Sequence, residues 1–371
     1  ISDLLQFNVG NEHNFPLGAQ ASDFFNDLEA NHDELIASKF YYGRAKQAIN
    51  PNCPLTDTRY PFGPIFNSAT VINKLRGRTD CEYISSILVD EVVELDESGR
   101  IKCRDRDGKT FQQFHGQKVF LACGPVSSTR IVANSLKLRN REFILKTNQN
   151  MFMPFFRYSR TKNISRQRTN SISQIFCTLI DSQICDRAVH IQVNQYGDYV
   201  LEQIRRLAPS LVPFITAVMR PLLERIMVFQ IMLHSDFSDS IRLRLAANDE
   251  CSSPRVELYG IKNPEMRTTY HQVVKAVRLQ HRRLRGLAFP ALMMIDPTGA
   301  SNHLGCSMPM RVRPLEGETD VLGRPPEWQH THIVDSTVLP SLPATTITFP
   351  IMANATRIVD KVAKQFDRSE L

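Results

Sequence analysis

The chain has 371 residues, of which 42% are hydrophobic and 22% are charged. These fractions are typical of a folded globular protein and exclude a long disordered chain. The length exceeds what one compact core usually holds, so two domains are expected. The formal net charge is +7, but the basic residues are dispersed, and the cluster at Arg282, Arg283 and Arg285 has no aromatic residues between its charges. We therefore predict a solvated helix face there and no nucleic-acid partner.

The eight cysteines are scattered and form no C-x-x-C pair, so neither a zinc ribbon nor a redox dithiol is indicated and no metal site is predicted. Cys123 and Cys177 lie in apolar, strand-like runs, where cysteine behaves as a small buried hydrophobe. No signal peptide is recognised, and the longest apolar stretch, Leu211–Leu233, is interrupted by charged residues. The sequence thus predicts a cytoplasmic location without a transmembrane segment.

The first 145 residues mix helical and strand patterns. A helical stretch is predicted near Ala21–Lys46, followed by a Pro/Asn-rich break at Asn50–Pro54. Strand-prone runs around the turns at Asp96–Gly99 and Asp105–Lys109 predict two hairpins, and Lys118–Ala122 is a short apolar strand before a Cys-Gly-Pro turn. This arrangement favours a sheet edge built against a cofactor domain.

From about residue 145 the pattern changes to that of a broad antiparallel sheet. Strands are predicted at Ser171–Ile180, Ala188–Asn194, Met227–His234 and Ser240–Leu245. Helices are predicted at about Tyr199–Leu223 and Pro264–Leu287. This block is interpreted as a separate, substrate-side domain. From about Thr298 onwards glycine, proline and threonine again interrupt the apolar runs, and a helix is predicted over Ile351–Gln365.

Three segments carry the functional signal, and their order adds to it. The first, Val119–Arg130 (VFLACGPVSSTR), is typical of a strand, a glycine turn and the start of a helix. The second is Asn302–Met308 (NHLGCSM). The third is His332–Pro340 (HIVDSTVLP), followed by Ala344–Thr348 (ATTIT) and the last helix.

These segments resemble those of the glucose–methanol–choline (GMC) oxidoreductases. The first is similar to the family's V-x-L-A-A-G-x-x-x-[ST]-x-R pattern, the second to its H-x-G-[ST] active-site segment, and the third to its D-x-S-x-[FL]-P segment, which precedes an N-P-T-L-T run. Residues 60–68 (YPFGPIFNS) also resemble a C-P-Y-G-A-I-x-N-A stretch of bacterial members with sugar-like substrates. The resemblance covers about residues 60–135 and 295–365.

The resemblance implies an α/β fold, with an incomplete FAD-binding (Rossmann-like) domain and an α+β substrate domain whose sheet is largely antiparallel. Residues 1–145 would form the partial FAD-binding domain and residues 146–295 the substrate-binding domain. Residues 296–371 would return to the FAD domain with the active-site segment. FAD is implied as the cofactor, and a small alcohol or sugar-like molecule as the substrate.

The implied reaction oxidises a CH–OH group, so a hydroxyl proton must be removed while a hydride leaves carbon for the flavin. A neutral imidazole suits the proton step, and the resemblance assigns it to His303. The family's second histidine or asparagine corresponds to Thr346, which can hydrogen-bond but cannot act as a general base at neutral pH. Thr346 is therefore interpreted either as a substitute polar contact or as a sign of lost catalysis.

Four further residues are implied to lie near the flavin: Asp335, Gly124, Val89 and Thr348. Asp335 corresponds to the family aspartate beside the ribityl–pyrophosphate region, and Val89 to a position whose backbone touches adenine. Ordinary structural roles account for these residue types as well, since aspartate caps turns, glycine ends strands and valine fills sheet cores.

The 16 glycines include no G-x-G, although dinucleotide binding by this architecture relies on G-x-G-x-x-G at a helix N-terminus. In the family that element precedes every segment matched here. We therefore expect the chain to be a fragment, a truncated product or one half of a split protein. The missing partner would be the N-terminal FAD-binding segment, and the chain by itself would bind free FAD weakly or not at all.

The sequence thus predicts an FAD-dependent oxidoreductase that acts on CH–OH groups. An alternative is a catalytically inactive, GMC-derived remnant that serves as a binding or scaffold protein, which Thr346 and the absent glycine motif favour. A third interpretation, an unrelated basic globular protein, requires the three ordered matches to be coincidental.

Overall fold

The structure, a computed structural model, describes residues 17–45, 67–108, 110–138, 141–162, 164, 173–195, 221–222, 224–246 and 254–369. The predicted break at Asn50–Pro54, residues 60–66 of the family-like stretch and nearly all of the predicted helix Tyr199–Leu223 lie outside the described residues. The chain divides into two compact units. Unit 1 comprises Ile1–Tyr83, Met151–Ile231 and Thr268–Ile295, and unit 2 comprises Ile84–Asn150, Met232–Arg267 and Asp296–Leu371.

The described residues form helices and mostly short strands. The helices are α1 (Ala19–Glu29), α2 (His32–Ala37), α3 (Ser68–Leu75), α4 (Pro125–Ser135), α5 (Met266–Leu279) and α6 (Thr348–Ser369). The strands are β1 (Phe40–Arg44), β2 (Ile87–Glu94), β3 (Gly99–Asp105), β4 (Phe111–Gly116), β5 (Val119–Leu121), β6 (Glu142–Thr147), β7 (Asn150–Arg157), β8 (Ser173–Leu179), β9 (Val189–Asn194), β10 (Ile226–Met232), β11 (Ser240–Ala246), β12 (Arg255–Ile261), β13 (Gly286–Ala288), β14 (Met294–Ile295), β15 (Leu304–Gly305) and β16 (Thr331–Ile333).

Unit 1 is built on a curled, largely antiparallel sheet, as predicted. Its strand order among the described residues is β1-β8-β9-β10-β7-β13, with β14 also paired to β7. Every second side chain of β7 is buried, because alternate residues of a strand face the same side of the sheet. Phe155 of β7 stacks on Phe229 with ring centroids 4.4 Å apart, and Phe24 of α1 meets both rings. These aromatic rings fill the core of unit 1.

Two predicted helices of unit 1 are too long. The prediction of helix through Lys46 is wrong beyond α2, since Lys39 adopts φ +61° and the next residues form β1, paired antiparallel with β8. A left-handed residue cannot continue an α-helix. The predicted helix Pro264–Leu287 likewise ends with α5, and after Arg285 at φ +51° the chain forms β13 against β7.

The described residues of unit 2 form three small sheets around one core. β2, β3 and β4 form the antiparallel hairpins that the sequence predicts, β12-β11-β6-β15 form a second sheet, and β5 pairs with β16 in parallel. Helix α4 packs on β2. The buried apolar side chains that join these elements are Val92, Leu121, Val132, Phe143, Leu145, Leu243 and Ile333.

Strand β11 lies in a different sheet from the one predicted. Ser240–Leu245 was predicted within the antiparallel sheet of residues 146–295, but β11 pairs with β6 and β12 in unit 2. Its alternate residues Ile241, Leu243 and Leu245 are buried in the core of unit 2, which holds the strand there. Residues 232–267 accordingly group with residues 84–150 and 296–371.

The two strand-like cysteines differ in their environments. Cys177 is buried, and burial raises the pKa of its thiol to about 12. Cys123 is exposed, contrary to prediction, because it follows the last paired residue of β5.

Within the part of the chain that the structure describes, no group of three or more potential ligand side chains could hold a metal ion. None of the described helices combines the length and the apolar character needed to cross a membrane.

Candidate functional site

The parallel pair of β5 and β16 brings two of the family-like segments to one edge. Leu121 of β5 lies opposite Ile333 of β16, so both strands run towards the same end. Gly124 then precedes α4 as its N-cap residue, and Asp335 lies two residues after the end of β16. Ligands of α/β proteins bind at the carboxyl ends of parallel strands, so this edge is a candidate binding site.

Asp335 joins the two chain segments at this edge. One carboxylate oxygen accepts hydrogen bonds from the Gly124 amide at 2.9 Å and the Ser128 hydroxyl at 2.5 Å. The other accepts from the amide of Thr337 at 2.9 Å, which caps the 3-10 helix Ser336–Val338. The structure therefore gives Asp335 a bridging role between the turn before α4 and the segment after β16.

We predict that Asp335→Asn destabilises the protein by about 1–3 kcal/mol, because the amide group that replaces one oxygen cannot accept from the buried donors around it. Thermal or denaturant unfolding measures this change. Asp80→Asn is the matched control: Asp80 is exposed and pairs with Arg78, and its replacement leaves the unfolding midpoint in place. Equal midpoints for the wild type and Asp335→Asn would show that the bridge contributes nothing.

The histidine segment runs beside the aspartate segment. The Cys306 amide donates to the Ser336 carbonyl at 2.9 Å, and two further bonds of 3.0 and 2.8 Å follow along the same pair of segments, from Met308 to Thr337 and from Met310 to Val338. A Cβ atom on Gly305 would lie 2.5 Å from the Ser336 carbonyl oxygen. Glycine at this position therefore allows the two segments to approach.

His303 lies one residue before β15 and is half-buried. Its Nδ1 is 2.8 Å from Oδ1 of Asn148, and its backbone amide donates to the Ser301 hydroxyl at 3.1 Å. Burial lowers the pKa of the imidazole, because removal from water disfavours the charged ring. Among the described residues, no hydrogen bond to His303 Nε2 is formed.

Asn148 connects His303 to the segment that carries Thr346. The Asn148 side-chain amide donates to the carbonyls of Pro343 and Thr345 at 3.0 and 2.8 Å. Thr346 itself is exposed, and so is Thr348, the first residue of α6. The structure thus brings the His303 turn and the 343–346 segment onto one buried asparagine.

Val89 lies in the three-stranded sheet of β2, β3 and β4, and not in the segments around His303. The register of β2 against β3 shifts just after this residue. Its carbonyl accepts a hydrogen bond from Arg130 Nη2 at 2.5 Å, so that group is already engaged with α4. The described hydrogen bonds tie Val89 to α4 and not to the histidine turn.

Asn148 and Ser301 are the residues that sequence reasoning missed. Asn148 and Gln149 are the two polar residues that connect strands β6 and β7. Asn148 and Gln149 are buried, and a buried polar run between two strands requires specific partners. That composition is the one signal in the sequence that could have drawn attention to Asn148.

No protein-family profile matches this sequence, and no curated protein is similar to it in sequence. Solved structures match it by fold, and the fold is one found in FAD-dependent oxidoreductases. One is pyridoxine 4-oxidase from Mesorbium loti, with a TM-score of 0.59 and 11% identity, covering 93% of this chain and 70% of that chain. Another is an FAD-dependent oxidoreductase from Chaetomium thermophilum, with a TM-score of 0.56 and 12% identity, covering 88% of this chain and 68% of that chain. At such identities the similarity shows the fold alone.

Proposed function

We propose that the protein is a GMC-type, FAD-dependent oxidoreductase that oxidises a CH–OH group of a small alcohol or sugar-like substrate, with His303 as its acid/base. The observation that carries the proposal is the ladder of three backbone hydrogen bonds that joins residues 306–310 to residues 336–338. It joins the histidine segment to the segment that carries Asp335. Two of the segments that resemble the family therefore form one local structure.

The residues at the carboxyl ends of β5 and β16 fit one part of a flavin dinucleotide. Gly124 has φ +82°, and no described atom lies within 4 Å of the position that a Cβ would take. Ala122 and Cys123 beside it are exposed. This edge is therefore open to close approach by a ligand, with Asp335 and the N-terminal residue of α6, Thr348, as further candidate contacts. Val89 fits less well, because its carbonyl already accepts from Arg130.

The phosphate-binding glycines are the part that this sequence does not supply. We propose that a separate FAD-binding segment provides them, since dinucleotide phosphates require close backbone approach at a helix N-terminus. The test is FAD retention after gel filtration, for the chain alone and for the chain co-expressed with the segment encoded before it. We expect retention only in the second case. Stoichiometric FAD on the chain alone would overturn the need for the segment, and none in either case would overturn the cofactor.

His303 has the properties of a proton acceptor in this reaction. FAD, when bound, would accept the hydride that leaves the substrate carbon. The hydroxyl proton would pass to Nε2 of His303, and the C–O bond would become a carbonyl. Thr346, which has no ionisable group at neutral pH, would contribute at most one hydrogen bond to the substrate.

The pH dependence of the reaction follows from the lowered pKa of His303. Burial moves this pKa below the ordinary histidine value of ~6.5, so the ring stays neutral, and able to accept a proton, at pH values where an exposed histidine is protonated. We expect kcat/KM to stay level as the pH falls through about 6.5 and to decline only at lower pH. A decline that begins above the ordinary histidine pKa would contradict this assignment.

A second candidate is a catalytically inactive protein of the same fold that binds a ligand without turnover. One observation favours it: Thr346, which has no ionisable group at neutral pH, stands where the family has its second histidine or asparagine. The two candidates differ in one measurable property. A protein that binds FAD but transfers no electrons from any alcohol to a dye is the inactive form.

A further inference from the structure

Asn148 is completely buried, with 0% of its surface exposed, and lies directly after β6. Its side-chain nitrogen donates to the Pro343 and Thr345 carbonyls, and its side-chain oxygen lies 2.8 Å from Nδ1 of His303. The Ser301 hydroxyl donates to the backbone carbonyl of Asn148 at 3.3 Å. One asparagine thus contacts both chain segments that carry the proposed substrate-side residues.

The two carbonyls determine which way the amide points. A carbonyl oxygen can only accept, so the side-chain NH2 group must face Pro343 and Thr345. The flipped amide would set the buried Oδ1 against two carbonyl acceptors and leave three acceptor oxygens without donors, which is costly for a side chain removed from water. Oδ1 of Asn148 therefore faces His303.

The orientation of the amide in turn determines the tautomer of His303. Oδ1 can only accept, so Nδ1 of His303 must carry the hydrogen. A neutral imidazole has one N–H, and the lone pair therefore resides on Nε2. Among the described residues, none forms a hydrogen bond with Nε2 of His303. The nitrogen that can take a proton is the one that remains available to a ligand.

We infer that Asn148 is a positioning residue that holds His303 in its Nδ1–H tautomer and holds the 343–346 segment at a fixed distance from the ring. The role rests on the proposed function, because it prepares Nε2 to accept the hydroxyl proton of the substrate. Without Asn148, the ring exchanges between tautomers, and only one of the two can accept at Nε2. Loss of the Asn148 side chain also releases the segment that carries Thr346.

The test reads the tautomer directly, without flavin or substrate. The protein carries 15N-labelled histidine, and two-bond 1H–15N spectra at a pH above the pKa of His303 distinguish protonated from unprotonated ring nitrogens, with His303→Gln assigning the signals. We expect protonated Nδ1 and unprotonated Nε2 in the wild type. In Asn148→Leu we expect both nitrogens to shift towards the values of an exchanging ring. A wild-type ring protonated at Nε2 would overturn the inference.

Two further variants make the test independent of folding. Asn148→Asp keeps an acceptor for Nδ1 but loses the donor to the Pro343 and Thr345 carbonyls. The Nδ1–H tautomer therefore persists while the segment is released, and the new carboxylate raises the pKa of His303. Asn134→Leu is the matched control, since Asn134 is also buried in unit 2 but its side chain donates to Asp90. We expect the control to leave the His303 spectrum unchanged. An equal change of the spectrum in Asn134→Leu, or a switch to Nε2–H in Asn148→Asp, would overturn the inference.

In the FAD-loaded protein, Asn148→Leu is expected to lower kcat on the order of 10²-fold with little change in KM. An equal loss in Asn134→Leu would show a general structural effect and overturn the positioning role. If the spectra behave as expected but neither the wild type nor any variant oxidises an alcohol, the proposed function fails while the tautomer assignment stands. The two results are therefore distinguishable.

Discussion

Replacing His303 with glutamine is expected to lower the rate of alcohol oxidation by the FAD-loaded protein by about 10²- to 10⁴-fold. Glutamine can keep a hydrogen bond to Asn148, but its amide cannot take up a proton at neutral pH. The local structure around residue 303 is held mainly by the backbone hydrogen bonds between residues 306–310 and 336–338. We therefore expect the unfolding midpoint and the amount of bound FAD to stay close to those of the wild type.

The measurement is kcat and KM with the best substrate of an alcohol panel, together with the flavin content of each preparation. His271→Gln is the matched control, since His271 is exposed on α5 in the other unit, and its replacement leaves the rate unchanged. Wild-type turnover in His303→Gln would rule out the proton-transfer role. Loss of FAD together with activity would instead make His303 a structural residue.

Gly305→Ala is expected to destabilise the protein by about 3 kcal/mol, the upper end of the usual cost of overpacking, because a clash with the backbone cannot be relieved by side-chain movement. The added Cβ would lie 2.5 Å from the Ser336 carbonyl oxygen and 3.0 Å from Ser336 Cβ. The ladder beside it must open to admit the methyl group. Opening it would also displace His303, two residues away in sequence.

The measurement for Gly305→Ala is the unfolding midpoint, with a second readout from the His303 ring signals. Gly77→Ala is the control, because the nearest atom to its added Cβ is 3.6 Å away, an ordinary van der Waals contact. We expect the control to match the wild type. A Gly305→Ala protein as stable as the control would mean that the segments of His303 and Asp335 are not closely packed.

The features that could be predicted from the sequence are those with local signals. The strand–turn–helix around Gly124 follows from an apolar run, a glycine turn and a proline at the first helical position. The hairpins of β2, β3 and β4 follow from alternating strand patterns and turn residues. The last helix was predicted from its apolar spacing, although α6 begins at Thr348 and ends at Ser369, beyond the predicted range at both ends.

The features that could not be predicted depend on contacts between distant parts of the chain. The periodicity of Ser240–Leu245 indicates a strand but not its partner, and pairing with β6 joins residues 94 to 102 positions apart. The β-prone residues of β1 were assigned to a helix because a left-handed Lys39 leaves no clear signature in the sequence. Local pattern sets the type of element, and tertiary packing sets its neighbours.

In the candidate site, too, some residues have local sequence signals and others depend on contacts between distant parts of the chain. His303 and Asp335 were proposed from motif segments that the sequence itself displays. Asn148 lies 155 residues from His303 in sequence and belongs to none of the motif segments, so only the folded chain reveals their contact. Asp335 makes its bonds to Gly124 and Ser128 across more than 200 residues, which likewise leaves no local trace.

Anaerobic mixing of the FAD-loaded protein with a panel of sugars and simple alcohols, followed at the flavin absorbance band, decides whether His303 serves a flavin reaction. We predict that at least one alcohol bleaches the band in the wild type and that the bleaching slows about 10²-fold or more in His303→Gln. If the wild-type protein holds FAD but none of these compounds bleaches its flavin band, the proposed oxidation is contradicted. Equal bleaching rates with histidine and glutamine at position 303 would contradict the role of the imidazole.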